Sequence, residues 1–215
     1  MKKLLILTAI ITVSAAQAVV IDDFEHGNAG LYTNLNGGGA ADVSAAHAHS
    51  GAFGFGGNGN DFYGRFDVAT NPGILYTSKV RSDLGRVYVG VGATANSMWS
   101  AVLGLNTQQI MLQDNAGLGF NEFGHTAATI VAGTWYQLNL DWALNGDMQV
   151  SLYDAAGTNL LAQTPVIATG FTTAGGLGLR TFGTGSVDTV QAVPEPATFV
   201  ALGLGLALAA LRRRK

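Results

Sequence analysis

The run from Trp135 to Tyr153 constrains the fold most, because it reads as a β-hairpin. Tyr136, Leu138, Leu140 and Trp142 alternate with Gln137, Asn139 and Asp141. Met148, Val150 and Leu152 alternate in the same way with Gln149, Ser151 and Tyr153. A period of two gives a strand one apolar face and one polar face, a pattern that a helix cannot use. Between the runs lies Ala143 to Asp147, with Asn145-Gly146, the dipeptide best able to take positive φ in a tight reversal. Asp154-Ala155-Ala156-Gly157 supplies a second turn. The same alternation recurs at Val87, Val89 and Val91 and at Ala101, Leu103 and Leu105, with Ile74 to Arg81 and Leu177 to Phe182 as two further strands. No long segment carries a 3.6-residue period. The expected fold class is therefore all-β, an antiparallel β-sandwich of the jelly-roll kind.

Composition narrows the chemistry. There is no cysteine, so a disulfide framework, a thiolate zinc site and a cysteine nucleophile are excluded. Thirty glycines are present, densest at Asn36 to Gly39 and Gly54 to Gly59. No Lys-Ser/Thr follows them and no strand-to-helix unit surrounds them, so they read as bulges and tight turns rather than a phosphate loop.

Both ends differ from the middle. Lys2-Lys3, the apolar stretch Leu4 to Val13 and Ala16-Gln17-Ala18 make residues 1–18 a signal peptide, an N-terminal signal helix for the Sec export machinery. Ala16 and Ala18 form the signal-peptidase site, with cleavage before Val19. At the other end, Pro194 and Pro196 hold Val193-Pro194-Glu195-Pro196 extended. Fifteen uncharged residues follow, Ala197 to Leu211, and then Arg212, Arg213, Arg214 and Lys215. As a helix the uncharged stretch spans about 22 Å, enough to enter a locally thinned bilayer if the cations stay at the cytoplasmic surface.

This order of tag, short hydrophobic helix and basic stop resembles the PEP-CTERM sorting domain, over residues 193–215. The resemblance implies an exosortase-type processing enzyme as partner and a transient stay in the inner membrane. It further implies a Gram-negative host and a mature protein at the cell surface or in the extracellular matrix. Residues 19–192 would then be the exported domain.

That domain holds five basic and thirteen acidic residues, a net charge of about −8. Such a balance opposes nucleic acid and anionic membrane surfaces as partners. Four groups of residues recur in this order in concanavalin A-like and carbohydrate-binding jelly rolls. They are Asp22-Asp23-Phe24-Glu25, His49-Ser50-Gly51, Trp135-Tyr136 and Ser186-Val187-Asp188. The resemblance implies that the first and last strands are neighbours and that the domain binds extracellular polysaccharide. Trp99, in the polar connection Ala95 to Ser100, is the leading candidate for stacking on a sugar ring, with Phe62 and Tyr63 next. Trp135 and Trp142 fall on strands as packing residues.

Catalysis is not expected. Glu25 and Glu122 are the only glutamates of the domain, no Glu-x-Asp-x-Glu run is present, and no serine or histidine sits in a nucleophile elbow. No cofactor is expected except a structural calcium, for which Asp22, Asp23 and Asp188 are candidates. His47-Ala48-His49 offers two imidazoles but no third ligand. Two other readings stand beside polysaccharide binding: a glycan hydrolase on the same fold, and an inert module anchored by its C-terminal helix.

Overall fold

A computed structural model describes residues 17–38 and 40–194. The expected signal helix, the helix of residues 197–211, Ala16, Glu195, Pro196 and the four terminal cations lie outside the described residues. Among the described residues the helical structure is three short 3₁₀ turns, Ala29–Leu31, Ala45–His47 and Ala116–Leu118, and no helix is long and apolar enough to cross a membrane.

The chain opens with β1 (Val19–Asp22), β2 (Thr33–Asn34), β3 (Asp42–Ser44) and β4 (Gly54–Thr70). Next come β5 (Ile74–Thr94), β6 (Ser97–Gly104), β7 (Gln109–Asp114) and β8 (Asn121–Ala127). The remainder is β9 (Trp135–Trp142), β10 (Asp147–Asp154), β11 (Leu160–Gln163), β12 (Ile167–Ala168) and β13 (Gly175–Pro194).

All recorded pairings are antiparallel. The expected hairpin is β9–β10, with Trp142 opposite Met148 and Gly146 at φ +87. The three long strands lie side by side in the order β5, β13, β4 and pass through both layers of the sandwich. The second half of β5 leads outward to β6, β7 and β8, whereas its first half pairs with β9 and leads to β10. Ile74 to Arg81 and Val87 to Val91, read from sequence as separate strands, are thus one strand that bends between them. Asp83 and Gly85 resemble a reversal signal, but here positive φ produces a corner.

The corner has a glycine in each long strand, with Gly59, Gly183 and Gly85 in one register row. Gly85 sits at φ +80 and Gly183 at φ +100. A Cβ on Gly85 would lie 1.8 Å from the carbonyl oxygen of Phe182, and one on Gly183 2.3 Å from that of Leu84. The dense run Gly54 to Gly59, expected to form turns, is also strand. Its missing side chains make room for others, since a Cβ on Gly56 would meet the His47 ring at about 2.0 Å.

The inward faces form the main core. Val87, Val89 and Val91 with Ala101 and Leu103 come from one layer, facing Leu138, Leu140, Val150 and Leu152 of the other. A second buried cluster, Phe62, Tyr88, Met98, Val102 and Met111, lies on the outer face of the β4–β8 layer. The connection after β7 folds over this face, and Leu118 packs onto it.

Candidate functional site

The structure buries all three aromatic candidates, although Tyr63 also lines a cleft along β4. Trp99 is 7% exposed and lies in β6 opposite Val91, in the main core with Phe171 packed against it and the exposed Phe123 ring at its outer side. The reason is the length of the β5–β6 connection. Thr94 pairs with Ser97, so the turn is only Ala95-Asn96 and the strand reaches Trp99 already facing inward. Phe62 and Tyr63 are buried as well, Phe62 in the outer-face cluster and Tyr63 against Phe55.

A different constellation occupies the outer face of that layer. In β13, Leu177 and Leu179 point into the core, so Gly178, Arg180 and Phe182 point outward. Arg180 stands in register between Phe62 of β4 and Tyr88 of β5, its guanidinium carbon 5.6 and 5.3 Å from the two ring centres. Phe120, just before β8, lies over it at 3.9 Å. Arg180 Nε and Nη2 donate to Asn60 Oδ1 at 3.3 and 2.9 Å, and Nη1 donates to the Gly119 carbonyl at 2.8 Å. No carboxylate pairs with it among the described residues, and burial pushes its pKa down. Three aromatic faces supply part of the missing counter-charge through their negative π surfaces.

The loop carrying Phe120 is well tied. Asn115 is buried, accepts from Ser100 Oγ at 2.6 Å and donates to the Gly119 carbonyl at 2.8 Å. Gly117 and Leu118 both take positive φ to make the turn. The result is an exposed pair of rings, Phe120 at 43% and Phe182 at 42%, meeting edge to face at 5.9 Å above a fixed guanidinium. The sequence pointed instead to Trp99, in a polar connection, and to Phe62 and Tyr63, after the glycine-rich segment. The usable signal was the outward set Gly178, Arg180, Phe182 in a period-two run.

The acidic candidates serve the fold. The first and last strands do meet, with Asp22 opposite Val190. Asp22 is buried, accepts from the Phe24 N–H at 2.7 Å, and is bound by the Tyr32 hydroxyl and Arg65 Nη1. His26 Nε2 lies 3.2 Å from Oδ1, the oxygen that accepts the Phe24 N–H, while Tyr32 and Arg65 hold Oδ2. Asp23 caps the next turn by accepting from the Glu25 N–H at 3.1 Å. Asp188 accepts the N–H groups of His49 and Ser50 at 2.7 and 2.9 Å. The three carboxylates do not converge, and among the described residues no three His, Asp or Glu side chains form a metal-holding group.

His47 and His49 also part company. His49 packs edge-on against Trp135 at 5.2 Å, while His47 bridges Ser186 Oγ at 2.8 Å and Asp42 Oδ2 at 2.9 Å. Beside His47 opens a cleft of about 350 Å³ along β4, lined by Asp42, Asp61, Gly57, Tyr63 and Thr184. Burial, and next the Asp61 charge, push the Tyr63 phenol up to about 12. The serine, histidine and aspartate have the partners of a hydrolytic triad but not its access. Ser186 is fully buried on a central strand and is not among the residues lining the cleft.

Comparisons with known proteins bear on the C-terminal end and on the fold. Residues 192–215 match the PEP-CTERM protein-sorting motif. No curated protein matches the chain in sequence. In structure it is similar to the carbohydrate-binding module CBM66 from Bacillus subtilis, with TM-score 0.58 and 12% identity over 76% of this chain and 95% of that one. It is similar to domain 4 of AbnA, an extracellular GH43 arabinanase from Geobacillus stearothermophilus solved with arabinotriose. There the TM-score is 0.53, with 15% identity over 88% of this chain and 100% of that one. A Bacillus subtilis protein with a galectin-like fold gives 0.52, with 10% identity over 76% and 89%. At these identities the likeness establishes the sandwich fold alone. The chain is thus a β-sandwich that carries at residues 192–215 the PEP-CTERM protein-sorting motif, the mark of an exported, cell-surface-directed protein.

Proposed function

We propose that this protein is an exosortase-processed surface or matrix protein whose sandwich binds extracellular polysaccharide through the Phe120–Phe182–Arg180 face. The precursor sits in the inner membrane of a Gram-negative cell by its hydrophobic C-terminal segment until the tag is processed. The observation carrying the binding reading is the exposed aromatic pair over a clamped guanidinium, with Asn60 beside it. Pyranose rings present C–H faces to aromatic rings, and fixed polar groups orient their hydroxyls. The similar folds named above include sugar-binding modules, which supports the reading without placing a ligand.

The test is affinity electrophoresis of the mature protein in gels containing exopolysaccharide from its own host. The wild-type protein should be retarded, and Phe120→Ala/Phe182→Ala should weaken binding by at least about tenfold, equivalent to about 1.4 kcal/mol. Equal retardation of both proteins contradicts the assignment. Release of reducing sugar by the wild-type protein would instead favour a hydrolase acting in the Asp42–Asp61 cleft.

A further inference from the structure

β1 runs antiparallel to β13, with Val19 opposite Ala192. On its other side β13 is paired with β5, setting Ala192 opposite Tyr76, Val193 opposite Leu75 and Pro194 opposite Ile74. Gln191 and Ala192 therefore have a neighbour at each edge, and Val193 and Pro194 keep one. The sorting tag consequently begins inside the sheet, with no linker between fold and tag. Pro194 suits the last position of a ladder, since it has no N–H to donate.

A processing enzyme needs its substrate backbone as a free extended segment, and a backbone already paired within a central strand is not free. We propose that the sheet sets the processing site: the bond cut lies C-terminal to Pro194, and the mature chain keeps all of β13. The inference rests on the sorting reading above. In the step itself one peptide C–N bond breaks and the leaving nitrogen takes a proton. The acyl carbon gains the oxygen of water, or the oxygen or nitrogen of an alcohol or amine acceptor, which loses its proton.

The same pairing puts Val19 and Pro194 at one end of the sandwich, so both membrane-directed segments of the precursor leave side by side. Arg180 lies fourteen residues back along β13. At about 3.3 Å per residue that is roughly 45 Å of strand path, which sets the binding face away from the membrane end.

Mass spectrometry of the C-terminal peptide of the mature protein, taken from the surface fraction of its host, tests this. The expected C-terminal residue is Pro194 or one beyond it. A terminus at Val193 or earlier overturns the proposal while leaving sorting intact, whereas a mature chain still ending in Lys215 removes both. Insertion of Gly-Ser-Gly-Ser between Ala192 and Val193 lifts the tag off the sheet. New termini before Pro194 are then expected, and an unchanged single terminus would show that the enzyme, not the sheet, chooses the bond.

Discussion

Asp22→Ala should lower the unfolding free energy by about 3–5 kcal/mol, as expected when one partner of a buried ion pair is removed. The carboxylate is fully buried and serves four groups: the Phe24 N–H, the Tyr32 hydroxyl, Arg65 and His26. Its loss strands a guanidinium whose side chain is only 11% exposed, although Asp67 still holds Arg65 Nε at 2.9 Å. It also frees the turn that keeps Phe24 at φ +62, a conformation that costs a non-glycine residue about 1–2 kcal/mol unless its surroundings impose it. Phe24 in turn packs against Tyr32 and Phe55. The deficit should persist in 1 M salt, because buried pairs are poorly screened. Asp22→Asn, which keeps an acceptor for the Phe24 N–H, should lose less. Urea denaturation measures all three, and a loss below about 1 kcal/mol for the alanine variant would mean that this knot does not hold the fold.

Gly85→Ala should be comparably damaging, at about 2–5 kcal/mol. Two costs combine: about 1–2 kcal/mol for positive φ, and about 1–3 kcal/mol for forcing atoms into a packed site. The second is unavoidable, because the atom met at 1.8 Å is the backbone oxygen of Phe182 and cannot rotate away. Gly170→Ala is the matched control. Its φ of +66 is similar, but a Cβ there meets nothing within 4 Å, so only the conformational cost of about 1–2 kcal/mol remains. Equal losses in the two variants would contradict the corner's packing role. Since a domain's whole stability is about 5–15 kcal/mol, either major variant takes a large share of it.

These residues mark the boundary of what the sequence made legible. The β9–β10 hairpin was readable because alternation and Asn145-Gly146 are local signals, and the structure sets Trp142 against Met148 as that pattern requires. The continuity of β5 was not, since Gly85 signals positive φ without saying whether the chain reverses or only bends. Asp22 and Asp188 looked like cation ligands because their true partners are distant. Arg65 comes from β4, and His49 and Ser50 from a loop about 140 positions before Asp188.

The exposed aromatic face was not legible for a related reason. Trp99, expected in a connection, lies in β6 because the turn before it is only Ala95-Asn96, and the register of that strand turns its side chain inward. Phe120 and Phe182 are brought together across more than 60 positions by strand pairing that no local pattern encodes. The sorting motif was readable because its parts act in sequence order and need no folding to be recognised.

Cell fractionation of the native host producing either the wild-type chain or Glu195→Ala/Pro196→Ala tests the account most directly, because these substitutions leave the paired residues of β13 untouched. The account predicts wild-type protein in the surface and matrix fractions, trimmed of its basic end, and the variant held full-length in the inner membrane. Equal surface display of both chains, each still carrying Lys215, would contradict it.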